Sequence, residues 1–162
     1  MRARQKIKSH TEIKDFRDAV RNRGGKVVFT NGCFDLLHVG HVRYLEEARS
    51  LGDALIVAVN TDRSVSGIKG PKRPILPESD RAEVVASLEC VTAVTLFDTP
   101  DPLPLIRYIV PDLLVKGADW PVDRIVGADE VIEAGGKVAS IELVQDRSTT
   151  AIIARILETF SG

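Results

Sequence analysis

An α/β fold, an open parallel sheet of about five strands with helices on both faces, is what this sequence predicts. Short β-branched runs without polar alternation recur along it, as expected of strands buried on both faces of a parallel sheet. Segments with apolar residues at helical spacing separate those runs. Loops bearing glycine and charge follow the strands, where open α/β sheets place their ligands.

The elements follow in order. Ser9 and Glu12 have capping-box spacing, and Ile13, Phe16, Ala19 and Val20 recur at helical spacing until Gly24-Gly25 stops the chain. Residues 1–25 thus read as a leader helix and a solvated basic tail carrying Arg2, Arg4, Lys6 and Lys8. A strand over Lys26 to Thr30 precedes a glycine loop, and a helix with Val39, Val42, Leu45 and Ala48 on one stripe ends at Gly52. Ala54 to Val59 then completes a βαβ unit. Thr61 to Leu76, with glycine, two prolines, Arg63, Lys69, Lys72 and Arg73, is expected to be a mobile loop. Beyond it the pattern predicts a helix from about Pro77 and strands over Val91 to Phe97 and Leu113 to Val115 with a helix over Leu103 to Val110 between them. A helix from about Gly127 to Ala134, a strand over Lys137 to Ile141 and a last helix capped by Ser148 close the series.

Size and charge bound the function. A chain of 162 residues, 44% hydrophobic and 28% charged, fits one domain, here 1–162, with a core that needs no disulfide or metal. Lys and Arg number 22 against 23 Asp and Glu, so no overall positive field exists to hold nucleic acid or an anionic membrane. Charged residues or glycine interrupt every apolar run before it reaches spanning length. No apolar segment follows the basic N-terminus, and Cys33 and Cys90 form no CxxC pair, which points to a reduced, cytoplasmic setting.

After the first strand comes Thr30-Asn31-Gly32-Cys33-Phe34-Asp35-Leu36-Leu37-His38-Val39-Gly40-His41. Two histidines three apart on the opening turn of a helix share a face. Free N–H groups there favour an anion, Gly40 is expected to let a phosphate approach the backbone, and the imidazoles would stabilise charge on a phosphoryl group under attack.

This segment resembles the first signature of the HxGH nucleotidyltransferase superfamily. The resemblance implies a Rossmann-like domain in which His38 and His41 contact a nucleoside triphosphate, magnesium assists, and the acceptor's phosphate attacks the α-phosphorus with no covalent intermediate. Thr30, Asn31, Gly32, Phe34 and Gly40 then belong to the nucleotide site. Gly67 to Pro74 is similar to the family's lysine-bearing loop, with Lys72 catalytic and Lys69 nucleotide-binding. Asp80-Arg81 resembles its phosphate-contacting arginine, and Gly117-Ala118-Asp119-Trp120 its GxDW segment beside the nucleotide. Ser148, Thr149 and Thr150 resemble its second signature, which holds the outer phosphates. No metal ligand from the protein is implied.

Taken together, NTDRSV, KGPKRP, LECVTAV, PDLLVKGADW and STTAII make the chain similar to the heptose 1-phosphate adenylyltransferase branch. That branch converts ATP and D-glycero-β-D-manno-heptose 1-phosphate to ADP-heptose, a precursor of lipopolysaccharide inner core. A separate sugar kinase is expected upstream, since 162 residues leave no room for a fused one. Asp35 and Asp62 are candidates to bind acceptor hydroxyls. One departure is Ile153, where other branches place a basic residue; Arg147 is the candidate to replace it. P-loop, GxGxxG, HExxH and GxSxG signatures are absent from the sequence. The alternatives are a glycerol 3-phosphate cytidylyltransferase, which shares the motifs in outline, and a non-catalytic nucleotide-binding regulator. Apolar positions on the leader and last helices admit a homodimer.

Overall fold

The computed structural model describes residues 2–118, 121, 124–144 and 147–160. Among them, five parallel strands form one sheet: β1 (Val27–Gly32), β2 (Ala54–Asn60), β3 (Ala93–Phe97), β4 (Leu113–Gly117) and β5 (Lys137–Ile141), in the order β3-β2-β1-β4-β5. The chain winds outward from β1 through β2 to β3, then crosses back to lay β4 on the other side of β1. Strand order therefore reverses between β1 and β4, the position at which open α/β sheets form a ligand crevice.

Register makes the crevice visible. β1 pairs with β2 along its whole length, from Val27↔Ala54 to Gly32↔Val59. Its ladder with β4 covers only Val28↔Leu113 and Phe29↔Leu114, so the two strands part before their carboxyl ends.

The helices are α1 (Ala3–Lys6), α2 (His10–Arg21), α3 (Val39–Ser50), α4 (Asp62–Lys69), α5 (Glu78–Ser87), α6 (Leu103–Ile109), α7 (Ala128–Glu133) and α8 (Thr149–Phe160). Successive strand residues point to opposite faces, and both faces are covered, which is why the strands carry unbroken apolar runs. On one face Phe29, Ile56 and Leu114 pack against Ile13 and Val20 of α2, Ile106 and Ile109 of α6, and Val131 of α7. On the other, Val28, Leu55, Val57 and Val115 meet Leu45 and Ala48 of α3 and Ala82, Val85 and Ala86 of α5.

Two expectations fail. Residues 61–76 are not all loop: α4 starts there because the Thr61 hydroxyl accepts from the Ser64 N–H and Val65 is fully buried. It ends at Gly70, whose φ of 93° breaks the helix at no side-chain cost. The N-terminal basic run is not a free tail either. Ile7 bridges Val94 on the edge strand, the Lys8 N–H donates to Val94, Arg4 pairs with Glu83 and the Lys6 ammonium donates to the Leu88 carbonyl at 2.9 Å. The segment thereby covers backbone groups that an edge strand would otherwise present.

The capping box at Ser9 and Glu12 starts α2, whose apolar face is spent on the sheet. α8 differs: only Thr149 on it is buried, and Phe160 is 79% exposed. No described helix is long and apolar enough to cross a membrane.

Candidate functional site

β1 delivers Asn31 and Gly32 to the crevice, and a tight turn then carries the chain to α3. A Cβ on Gly32 would stand 3.0 Å from the Phe34 ring, and Phe34 itself takes the left-handed φ of 46°. Held this way, the Phe34 ring is buried and lies 5.3 Å from that of His41. His38 is the N-cap of α3, so its side chain meets the helix's unpaired donors: Nδ1 accepts from the Gly40 N–H at 3.2 Å. The His38 N–H in turn donates to His41 Nδ1 at 3.4 Å. The two rings stack with centroids 3.9 Å apart.

Gly40 serves this pair directly. A Cβ there would fall 2.9 Å from both Cε1 and Nδ1 of His38. The residue makes room for the imidazole and also lines the cleft beside it.

Electrostatics keep both rings neutral. Burial pushes His41 down to about 4, helped by the neighbouring His38 and Lys69. Burial, with Arg147 nearby, also lowers His38. A neutral imidazole whose Nδ1 accepts a hydrogen bond carries its proton on Nε2. Each ring can therefore offer an Nε2–H donor to the cleft it lines.

That cleft, about 380 Å³, opens between the β1 turn, β4 and the start of α8. Of the residues singled out in the sequence, it brings together Asn31, Gly32, Phe34, His38, Gly40, His41, Lys69, Gly117, Ser148, Thr149 and Thr150. Ser148 Oγ accepts from the Ala151 N–H, and the Thr149 hydroxyl donates to the Leu36 carbonyl, which ties α8 to the turn before His38. Arg147 lines the cleft as well, while Ile153 lies on α8, half-buried.

Five candidates lie elsewhere. Thr30 is fully buried, its hydroxyl 2.7 Å from the Tyr44 hydroxyl. Lys72 is exposed and lines no part of this cleft. Arg81, 1% exposed, donates to the Leu76 carbonyl at 2.9 Å, the Cys33 carbonyl at 2.5 Å and Asp62 Oδ1 at 2.8 Å. It is a clamp between three segments, and a phosphate contact is corrected to a structural one. Asp62 is the partner of that clamp. Asp35, 2% exposed, accepts from the Ile75 and Leu76 N–H groups and from Arg73 Nε at 2.6 Å, so its oxygens are taken by the chain itself and not by acceptor hydroxyls. Burial works to raise the Asp35 carboxyl, but the Leu76 and Ile75 donors and the Arg73 guanidinium together hold it below the usual carboxylate range. Asp119 and Trp120 lie outside the described residues.

Sequence reasoning missed Lys116. Its ammonium donates to the Asn31 carbonyl at 3.2 Å and to Asn31 Oδ1 at 3.0 Å, and it lines the cleft. It also lines a second cleft of about 450 Å³ that reaches Asn60, Phe97, Asp101 and Arg124. Only the signal that β4 ends beside β1 could have found it. Among the described residues no group of three or more His, Cys, Asp or Glu side chains could hold a metal ion.

An open parallel sheet with a neutral histidine pair and the basic residues Lys69, Lys116 and Arg147 around a cleft at its switch point defines a nucleotide-handling α/β domain of the HxGH class. The cytidylyltransferase-like family model matches residues 29–155, and the chain belongs to that family. Two curated relatives, each called bifunctional protein HldE, come from Syntrophotalea carbinolica and Magnetococcus marinus. The first is 50% identical over 155 residues, 96% of this chain and 32% of its own. The second is 58% identical over 134 residues, 83% of this chain and 28% of its own. The chain thus spans about a third of the length of such relatives. A solved lipopolysaccharide core biosynthesis protein from Thermoplasma volcanium superposes with a TM-score of 0.61 at 28% identity, covering 76% of this chain and all of that one.

Proposed function

We propose that this stretch acts as one nucleotidyltransferase unit, transferring the AMP part of ATP to D-glycero-β-D-manno-heptose 1-phosphate to give ADP-heptose and pyrophosphate. The observation that carries the reading is the stacked, neutral His38–His41 pair at the mouth of a cleft that also collects Lys69, Lys116 and Arg147. Identity to the HldE proteins over nearly the whole chain supports the choice of base and acceptor.

A phosphate oxygen of the acceptor forms a bond to the α-phosphorus while the bond to the β-phosphate oxygen breaks, and pyrophosphate leaves with the electron pair. No proton need move, so positioning and charge stabilisation supply the catalysis. The Nε2–H groups of His38 and His41 donate to the α-phosphoryl oxygens as charge builds on them. The N-terminus of α8, with Ser148, Thr149 and Thr150, and the Arg147 guanidinium hold the outer phosphates. Lys69, on the last turn of α4, lines the same cleft and adds positive charge for the departing pyrophosphate. Magnesium enters with ATP as the metal complex of its triphosphate. The second cleft, reaching Asn60, Asp101 and Arg124, takes the sugar in place of Asp35 and Asp62. A sugar kinase supplies the phosphosugar, and the setting is the cytoplasm.

A matched assay tests this. ATP with heptose 1-phosphate and magnesium should yield ADP-heptose and pyrophosphate with the higher kcat/KM, and CTP with glycerol 3-phosphate far less product. The reverse ranking overturns the substrates, and no pyrophosphate with either pair overturns the reaction.

A further inference from the structure

We infer that Lys116, keyed to Asn31, holds the attacking phosphate of the acceptor at the point where the two clefts meet. The inference rests on the proposed transfer reaction and adds to it the residue that receives the nucleophile.

Three observations lead there. The first is register. Continued from Val28↔Leu113 and Phe29↔Leu114, the β1–β4 pairing sets Asn31 opposite Lys116, just past the point where the ladder ends. The backbone bonds that would have joined the strands are replaced by the lysine's own, from Nζ to the Asn31 carbonyl and side-chain oxygens. Its ammonium is thereby fixed in the opening between the two central strands and not left to swing from a loop.

The second is connectivity. The donor cleft and the second cleft share Asn31, Gly32, Cys33, Lys69 and Lys116. In-line attack needs the nucleophilic oxygen within about 3–3.5 Å of the phosphorus. The acceptor phosphate must therefore sit at this shared lining. Arg124 lines the second cleft alone, so a phosphate held only there would stay outside the donor's reach.

The third is charge. A phosphomonoester dianion has to approach a triphosphate, and neutral histidines cannot offset that repulsion. Of the two cations at the junction, Lys69 is exposed on the last turn of a short helix, whereas Lys116 is half-buried on a sheet strand paired with β5 through Lys116↔Ser140. A group that must hold a nucleophile in line belongs on the rigid element.

The test is calorimetric titration of the whole chain, charged with a non-hydrolysable ATP analogue and magnesium, with heptose 1-phosphate and separately with glycerol 3-phosphate. The variants are Lys116→Gln, Lys116→Arg and Arg124→Gln. Lys116→Gln should weaken binding of the preferred phosphomonoester by about tenfold or more, with affinity for the analogue itself changed less than about threefold. Lys116→Arg, which keeps the charge and the fold, should recover part of the loss. Acceptor affinity within threefold of wild type in Lys116→Gln overturns the inference, as does a full loss in Arg124→Gln with none in Lys116→Gln. Should wild type prefer glycerol 3-phosphate yet lose it in Lys116→Gln, the junction stands and only the proposed sugar falls.

Discussion

His38 and His41 line a cleft with Nε2–H groups that have no hydrogen-bond partner among the described residues, while Asp35, three residues earlier, has both carboxylate oxygens occupied by Arg73, Ile75 and Leu76. Arg81 resembles Asp35: charged, buried and bonded at every nitrogen of its guanidinium to the chain around it. In sequence all four are polar residues in or just before the first turns of α3 and α5. What separates them is hydrogen-bonding capacity. Among these four, where the fold consumes it, the residue ties segments together, and where a donor remains beside the cleft, the residue is left for a substrate.

Cutting the tie should have the largest effect. Asp35→Ala strips two backbone donors and the already under-bonded Arg73 guanidinium of their acceptor, and should lower the unfolding free energy by about 3–5 kcal/mol. Urea unfolding of purified protein measures it, and a loss below about 1 kcal/mol would dissolve the distinction between the two groups. Gly40→Ala acts on the other side of the comparison. Its Cβ would displace the His38 ring, so kcat should fall between about tenfold and a hundredfold while stability changes far less.

Lys69→Ala should raise KM for ATP by about tenfold with little change in unfolding, since the side chain is exposed and lines both clefts. An unchanged KM would take Lys69 out of the site.

The smallest effect is in pH dependence. An ordinary histidine at 6.5 would give kcat/KM an acid limb there; burial moves the His38 limb below 6.5 and the His41 limb down to about 4. For stability the sign runs with burial. Between 6.5 and about 4 the unfolded chain takes up a proton that folded His41 refuses, so stability from this group falls as pH falls through that window. Denaturant midpoints between pH 7 and 4 that move the other way for wild type relative to His41→Ala would contradict it.

Much of this architecture could be read from residue types. Continuous apolar runs such as Ala54 to Val59 revealed doubly covered strands, and HxGH after the first of them located the cleft. Long-range partners were not legible. Asp35 and Arg73 are 38 positions apart and Arg81 lies 48 from Cys33, so their commitment to each other's segments depends on how the 73–81 stretch folds back. Gly67 and the nearby prolines hid α4, although Thr61 and Val65 had the spacing to start it. Lys116 directly follows the expected strand Leu113 to Val115, and it becomes a site residue only once β4 is laid beside β1.

Pyrophosphate release from ATP, magnesium and heptose 1-phosphate, followed for wild type and His41→Ala at equal folded fraction, bears most directly on the idea that unspent donors at the cleft perform the chemistry. The account predicts sugar-dependent release by wild type and a kcat about a hundredfold lower in His41→Ala, with the unfolding midpoint nearly unmoved. Near-normal turnover in His41→Ala, or a loss of activity that merely tracks a loss of folded protein, would contradict it.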